Sequence, residues 1–88
     1  MLRIVDEWLV DTEAMLCRNN LTEIVVGFVR NGETYIGKIK NMPIELTVRL
    51  AKMKDGDLLI QKTVLDAEEV FRKEMYSTNE EVKIRNEE

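Results

Sequence analysis

Histidine is absent from the 88 residues, and cysteine occurs once, at Cys17. One chain therefore forms no internal disulfide and cannot assemble the His/Cys ligand set of a structural zinc site. A lone thiol without a disulfide framework suits a reducing compartment, so a cytoplasmic location is expected. Proline also occurs once and glycine four times, and no linker, internal repeat or low-complexity tract interrupts the chain. No apolar run approaches the roughly 18 residues of a membrane span. The opening MLRIVDEWLV carries Asp6 and Glu7 where a signal peptide keeps an unbroken apolar region. Secretion and membrane association are not expected.

The absence of histidine also narrows the chemistry. General acids and bases are limited to carboxylates, lysines, tyrosines and Cys17. The adjacent carboxylates Asp6-Glu7, Glu68-Glu69, Glu80-Glu81 and Glu87-Glu88 point in different directions on a helix, about 100° apart, which describes a solvated face better than an acid/base couple. The Asp55-Gly56-Asp57 triplet lacks the ligand spacing of a calcium loop, and Gly27, Gly32 and Gly37 do not make a phosphate-binding pattern. Cys17 reads as a small buried hydrophobe, and the five methionines, with Trp8, read mainly as core filler. The expectation is a protein that is not an enzyme, with no catalytic residues, cofactor or metal.

What is present is enough for one folded domain. The chain is 44% hydrophobic and 34% charged, well outside the range of disordered sequences. The formal charge is -4, unevenly spread. Arg30 to Lys54 holds six basic and two acidic residues, whereas Asp66 to Glu88 holds eight acidic and four basic ones. A basic middle and an acidic end suit self-association or a charged partner.

Taken in order, residues 2–18 place Val5, Trp8, Leu9, Thr12, Met15 and Leu16 at spacings of three and four, which predicts an amphipathic helix ending at Asn19-Asn20; a short strand over the first few residues is the alternative. Thr22 to Lys40 predicts a hairpin about an Asn31-Gly32 turn. A two-residue type I′ turn there sets Arg30 opposite Glu33, Phe28 opposite Tyr35, Val26 opposite Gly37, Ile24 opposite Ile39 and Glu23 opposite Lys40. Ile24, Val26, Phe28, Tyr35 and Ile39 then share the core face. Pro43 starts a helix to about Lys54, closed by Gly56. A third helix capped by Asp57 follows, with a third strand at about 58–65 as the alternative. The fold class expected is α+β in the order α-β-β-α-α, a two-stranded antiparallel hairpin packed against helices. Residues 1–78 form a single domain and 79–88 a mobile charged tail.

An isolated hairpin with uncovered edges needs cover or pairing. Its second face carries Val25, Val29, Ile36 and Lys38, the candidate surface for a homodimer or an unknown protein partner. The function expected is a small non-catalytic interaction or regulatory module, of the kind found among phage and mobile-element accessory proteins. The competing expectation is nucleic-acid binding through a basic patch of Lys38, Lys40, Arg49, Lys52 and Lys54.

Overall fold

Asp6 and Glu7 form a turn, so the chain opens with strands. In the computed structural model, which describes the backbone of residues 2–87 and the side chains of residues 2–76, β1 (Leu2–Val5) and β2 (Trp8–Asp11) pair antiparallel with Val5 opposite Trp8. Asp6 sits at φ 54°, a left-handed conformation that aspartate tolerates because its short side chain bonds locally. The second turn is built by Asp11, whose Oδ1 accepts from the N–H groups of Glu13 (3.1 Å) and Ala14 (3.0 Å). Met15 at φ 59° completes that reversal, and β3 (Leu16–Asn19) follows.

Asn19 repeats the device in a buried setting. Its Oδ1 accepts from Leu21 N–H (2.9 Å) and Thr22 N–H (3.0 Å), and Glu23 at φ 62° turns the chain into β4 (Val25–Asn31). The final hairpin joins β4 to β5 (Thr34–Asn41) through Gly32 and Glu33. Only Gly32 of this pair has positive φ, +64°, which is the type II′ pattern with glycine at the first central position. The sheet is thus a five-stranded antiparallel meander in the order β1-β2-β3-β4-β5.

These strands overturn the expected α-β-β-α-α order and its two-stranded sheet, although the α+β class stands. The apolar residues of 2–18 do recur at spacings of three and four, but each strand there is four residues long. So short a strand has only two inward positions, and two turns between strands reproduce a helical spacing by accident. Asn19, expected at a helix end, instead caps a strand connection.

The hairpin register differs as well. Arg30 lies opposite Tyr35, Phe28 opposite Gly37 and Val26 opposite Ile39, with an irregularity between Val25 and Val26. The turn is one residue further along than Asn31-Gly32, which moves every partner by two. A shift of two preserves side-chain alternation, so Ile24, Val26 and Phe28 remain buried and Tyr35 and Ile39 still pack on the core.

Two helices follow. Pro43 precedes α1 (Ile44–Lys52), where its missing N–H is harmless. Residues 58–65, the alternative strand, lie inside α2 (Gly56–Glu87). Gly56 does not terminate the first helix in a left-handed conformation; it is a buried residue at the start of α2, where a Cβ would run into the carbonyl of Leu50. The expected tail over 79–88 lies outside the residues whose side chains are described.

Helix α2 crosses the inner face of the sheet. Phe71, fully buried, stacks on Phe28 with ring centroids 4.2 Å apart and meets Tyr35 edge-on at 5.2 Å, a geometry that adds about 0.5–1.5 kcal/mol per pair beyond burial. Trp8, Val10, Cys17, Ile24, Val26 and Ala67 complete this core. Helix α2 also runs beside the outer edge of β5. Glu68 Oε2 accepts from Gly37 N–H (2.8 Å), Arg72 donates to the Tyr35 carbonyl (3.2 Å), and the Tyr76 hydroxyl reaches the Glu33 carbonyl (3.5 Å). Side chains four apart on the helix therefore occupy backbone groups two apart on the strand, closing an edge that would otherwise invite another strand.

Candidate functional site

Because helices lie on one side only, the other face of the sheet is open. Cross-strand registers define its rows. One runs Ile4, Leu9, Arg18, Val25, Asn41, and the next runs Leu2, Asp11, Leu16, Gly27, Lys38. Val29 and Ile36 form a further pair. An antiparallel sheet with one solvated face is ordinarily polar there, but this face carries apolar side chains from every strand. Leu2, Ile4, Val29 and Ile36 are exposed at 64%, 68%, 58% and 37%.

A groove of about 290 Å³ lies on this face, lined chiefly by Ala14, Gly27, Val29, Ile36, Lys38 and Lys40. Its floor is Gly27, which places no side chain between the flanking strands; a Cβ there would touch only the Lys40 side chain, at 3.4 Å. The lysines bring positive charge to an otherwise apolar depression. A second depression, where the β1–β2 turn meets α2, is acidic, with Asp6, Glu7, Asp66 and Glu69 around Trp8 and Lys73.

The structure brings Val29, Ile36 and Lys38 together in the groove and places Val25 on the same open face, one row away. It divides the basic patch. Lys38 and Lys40 line the groove, whereas Arg49 lines a different depression beside Glu23 and Glu45. Lys52 ends α1 and Lys54 lies in the link to α2. The open-face residues Ile4, Leu9, Asp11, Leu16 and Arg18 escape a helical reading of residues 2–18. No period-two alternation marks them, since Trp8, Leu9 and Val10 are all apolar; the local break is the acidic pair Asp6-Glu7 between two short apolar runs.

Cys17 points into the core between Val10 and Val26 in the sheet. Burial, followed by the negative charge of Glu74, pushes its thiol from 9.0 up to about 12, so no thiolate is available near neutral pH. Among the described residues, no group of three or more histidine, cysteine, aspartate or glutamate side chains is placed to hold a metal ion, and no helix is long and apolar enough to cross a membrane. The fold and its open face define a small α+β domain built on an antiparallel sheet covered on one side. No family model, curated protein or solved structure matches the chain.

Proposed function

We propose that this chain is a non-catalytic protein-interaction module that works through the open face of its sheet. The observation that carries the reading is the collection of Ile4, Leu9, Leu16, Val25, Val29 and Ile36 on one uncovered face, around a groove floored by Gly27. Burying such surface against a partner contributes about 25 cal/mol per Å² of apolar area, and contiguous exposed apolar patches characteristically mark binding surfaces. Lys38 and Lys40 at the rim supply orientation and long-range attraction to an acidic partner surface.

Affinity capture from native lysate tests the reading, with wild type and Ile36→Glu compared before and after nuclease treatment. A protein retained by wild type after nuclease and lost with Ile36→Glu supports it. Equal retention by the variant refutes it, provided Trp8 fluorescence shows both proteins folded. Capture that disappears on nuclease treatment, with affinity falling steeply as salt is raised, favours nucleic-acid binding instead. The division of the basic patch, with Glu23 and Glu45 beside Arg49, weighs against that second reading.

A further inference from the structure

The row Asp11, Leu16, Gly27, Lys38 crosses β2, β3, β4 and β5 on the open face. It carries a negative charge on β2 and a positive one on β5, between them a large side chain stands beside an absent one, and Leu2 of β1 lies beyond Asp11. From this order we infer that the open face pairs with the open face of a second copy of the chain. The inference rests on the reading above that this face is the working surface, and it names the occupant.

Consider a two-fold axis lying between the copies, parallel to the strands and midway between β3 and β4. Rotation about it exchanges β3 with β4 and β2 with β5. Leu16 of one copy then stands over Gly27 of the second, and Asp11 stands over Lys38, with both relations repeated by symmetry. The leucine enters the groove whose floor is Gly27, where, among the described residues, the Lys40 side chain is what lies within 4 Å of a Cβ placed at Gly27. The charges meet at the outer strands of the overlap, β2 over β5 and β5 over β2, with Leu2 of β1 beyond Asp11. Lys38 has no ion-pair partner within its own copy among the described residues, so it is free to take one.

The adjoining row obeys the same operation. Arg18 falls opposite Val25 of the second copy, and its guanidinium is already held by Glu23 at 3.3 Å within its own chain, leaving the aliphatic stem to lie on the valine. Stacked sheets of this kind sit about 10 Å apart with strands about 30° from parallel. Four overlapping strands about 4.8 Å apart and four to eight residues long bury a total on the order of 1,000 Å², the lower bound of specific interfaces. A reversible dimer is the consequence, formed at micromolar concentration.

The charge order gives an experiment that other modes of association do not imitate. Light scattering and sedimentation are run from about 1 to about 500 µM, a range that brackets a weak specific interface. Wild type dimerises with concentration. Asp11→Lys alone and Lys38→Asp alone each associate at least about tenfold more weakly, because like charges then face each other at both ends. An equimolar mixture of these two variants dimerises, since each heterologous contact restores a Lys/Asp pair. Gly27→Val stays folded, because among the described residues the atoms within 4 Å of its Cβ belong to the flexible Lys40 side chain, yet it closes the leucine seat and abolishes the dimer.

Asp11 also holds a turn. Should Asp11→Lys fail to fold, Asp11→Asn keeps the Oδ1 acceptor and weakens association about tenfold in its place. A wild type that stays monomeric at the highest concentration overturns the inference. So does association that Lys38→Asp and Gly27→Val leave unchanged, which is the result expected of pairing through the β1 edge, and so does a mixture of folded charge variants that does not dimerise. A monomeric wild type whose capture of a different protein is abolished by Ile36→Glu removes this inference and leaves the proposed function standing. Capture indifferent to Ile36→Glu removes the proposed function.

Discussion

Replacing Glu68 by alanine tests how the β5 edge is closed. Glu68 is 9% exposed and its Oε2 accepts from Gly37 N–H at 2.8 Å. A hydrogen bond to a charged group contributes about 1.5–3 kcal/mol net, and the stranded N–H keeps its desolvation penalty. The Glu68–Arg72 contact is long, 3.8 Å, with the arginine side chain 37% exposed, so solvent screening reduces it to a few tenths of a kcal/mol. The expected loss for Glu68→Ala is therefore about 2–3 kcal/mol, set by the Gly37 contact. In a domain of this size that lowers the melting temperature by about 10–20 °C. Glu68→Gln keeps an acceptor and loses only the charge, about 1 kcal/mol. Urea unfolding followed by the single tryptophan, Trp8, measures both. Hydrogen exchange at Gly37 reads the same contact locally, with protection falling about 30- to 150-fold for a loss of that size. Glu69→Ala is the internal control, because the Glu69–Lys73 pair is 65% and 72% exposed and contributes under about 1 kcal/mol. If Glu68→Ala costs no more than Glu69→Ala, the edge is not closed by this carboxylate and the reasoning fails.

Three further outcomes are expected. Asn19→Ala removes two backbone hydrogen bonds from a side chain only 4% exposed and should cost about 1–2 kcal/mol in urea unfolding. Gly56→Ala gains about 0.8–1 kcal/mol in helix propensity, yet it should destabilise by about 2–3 kcal/mol because its Cβ meets the Leu50 carbonyl. Cys17 should resist thiol reagents at pH 8 and react once urea unfolds the protein. Its folded value, about 12, lies above the ordinary 9.0, so the folded state holds a proton that the unfolded state releases. Stability is then unaffected below pH 9 and falls as pH rises toward 12. Cys17→Ala should flatten that decline when the two proteins are compared by urea unfolding across the window.

The parts of the fold legible in the sequence are those where a local signal and tertiary packing agree. The hairpin signal at Asn31-Gly32 identifies the correct inward face, because moving every partner by two preserves side-chain alternation, and Val29, Ile36 and Lys38 fall on the open face for the same reason. Pro43 marks the start of α1, and the apolar spacing of Ile60, Val64, Ala67 and Phe71 marks α2. The first nineteen residues are illegible for a physical reason. Their turns place Asp6 and Met15 at positive φ without glycine or an Asn-Gly pair to announce it, and Asp11 and Asn19 cap turns from within strands. Half of the candidate site lies on these strands, so it is hidden with them. Gly56 shows the converse, since an evident helix-stopping residue is required by a close carbonyl rather than by its backbone angle.

The polar ladder between α2 and β5 behaves like two rulers with nearly equal divisions. From Glu68 to Arg72 the helix rises about 6 Å, while Gly37 to Tyr35 spans about 6.6–6.8 Å of strand. The three contacts, 2.8, 3.2 and 3.5 Å, are made by side chains of different reach, glutamate, arginine and tyrosine, the last meeting a carbonyl of the turn before β5. Because the two pitches nearly match, one straight helix shields a short strand edge with side chains at every fourth position, and a longer β5 would need longer side chains or a bend in α2 to stay covered.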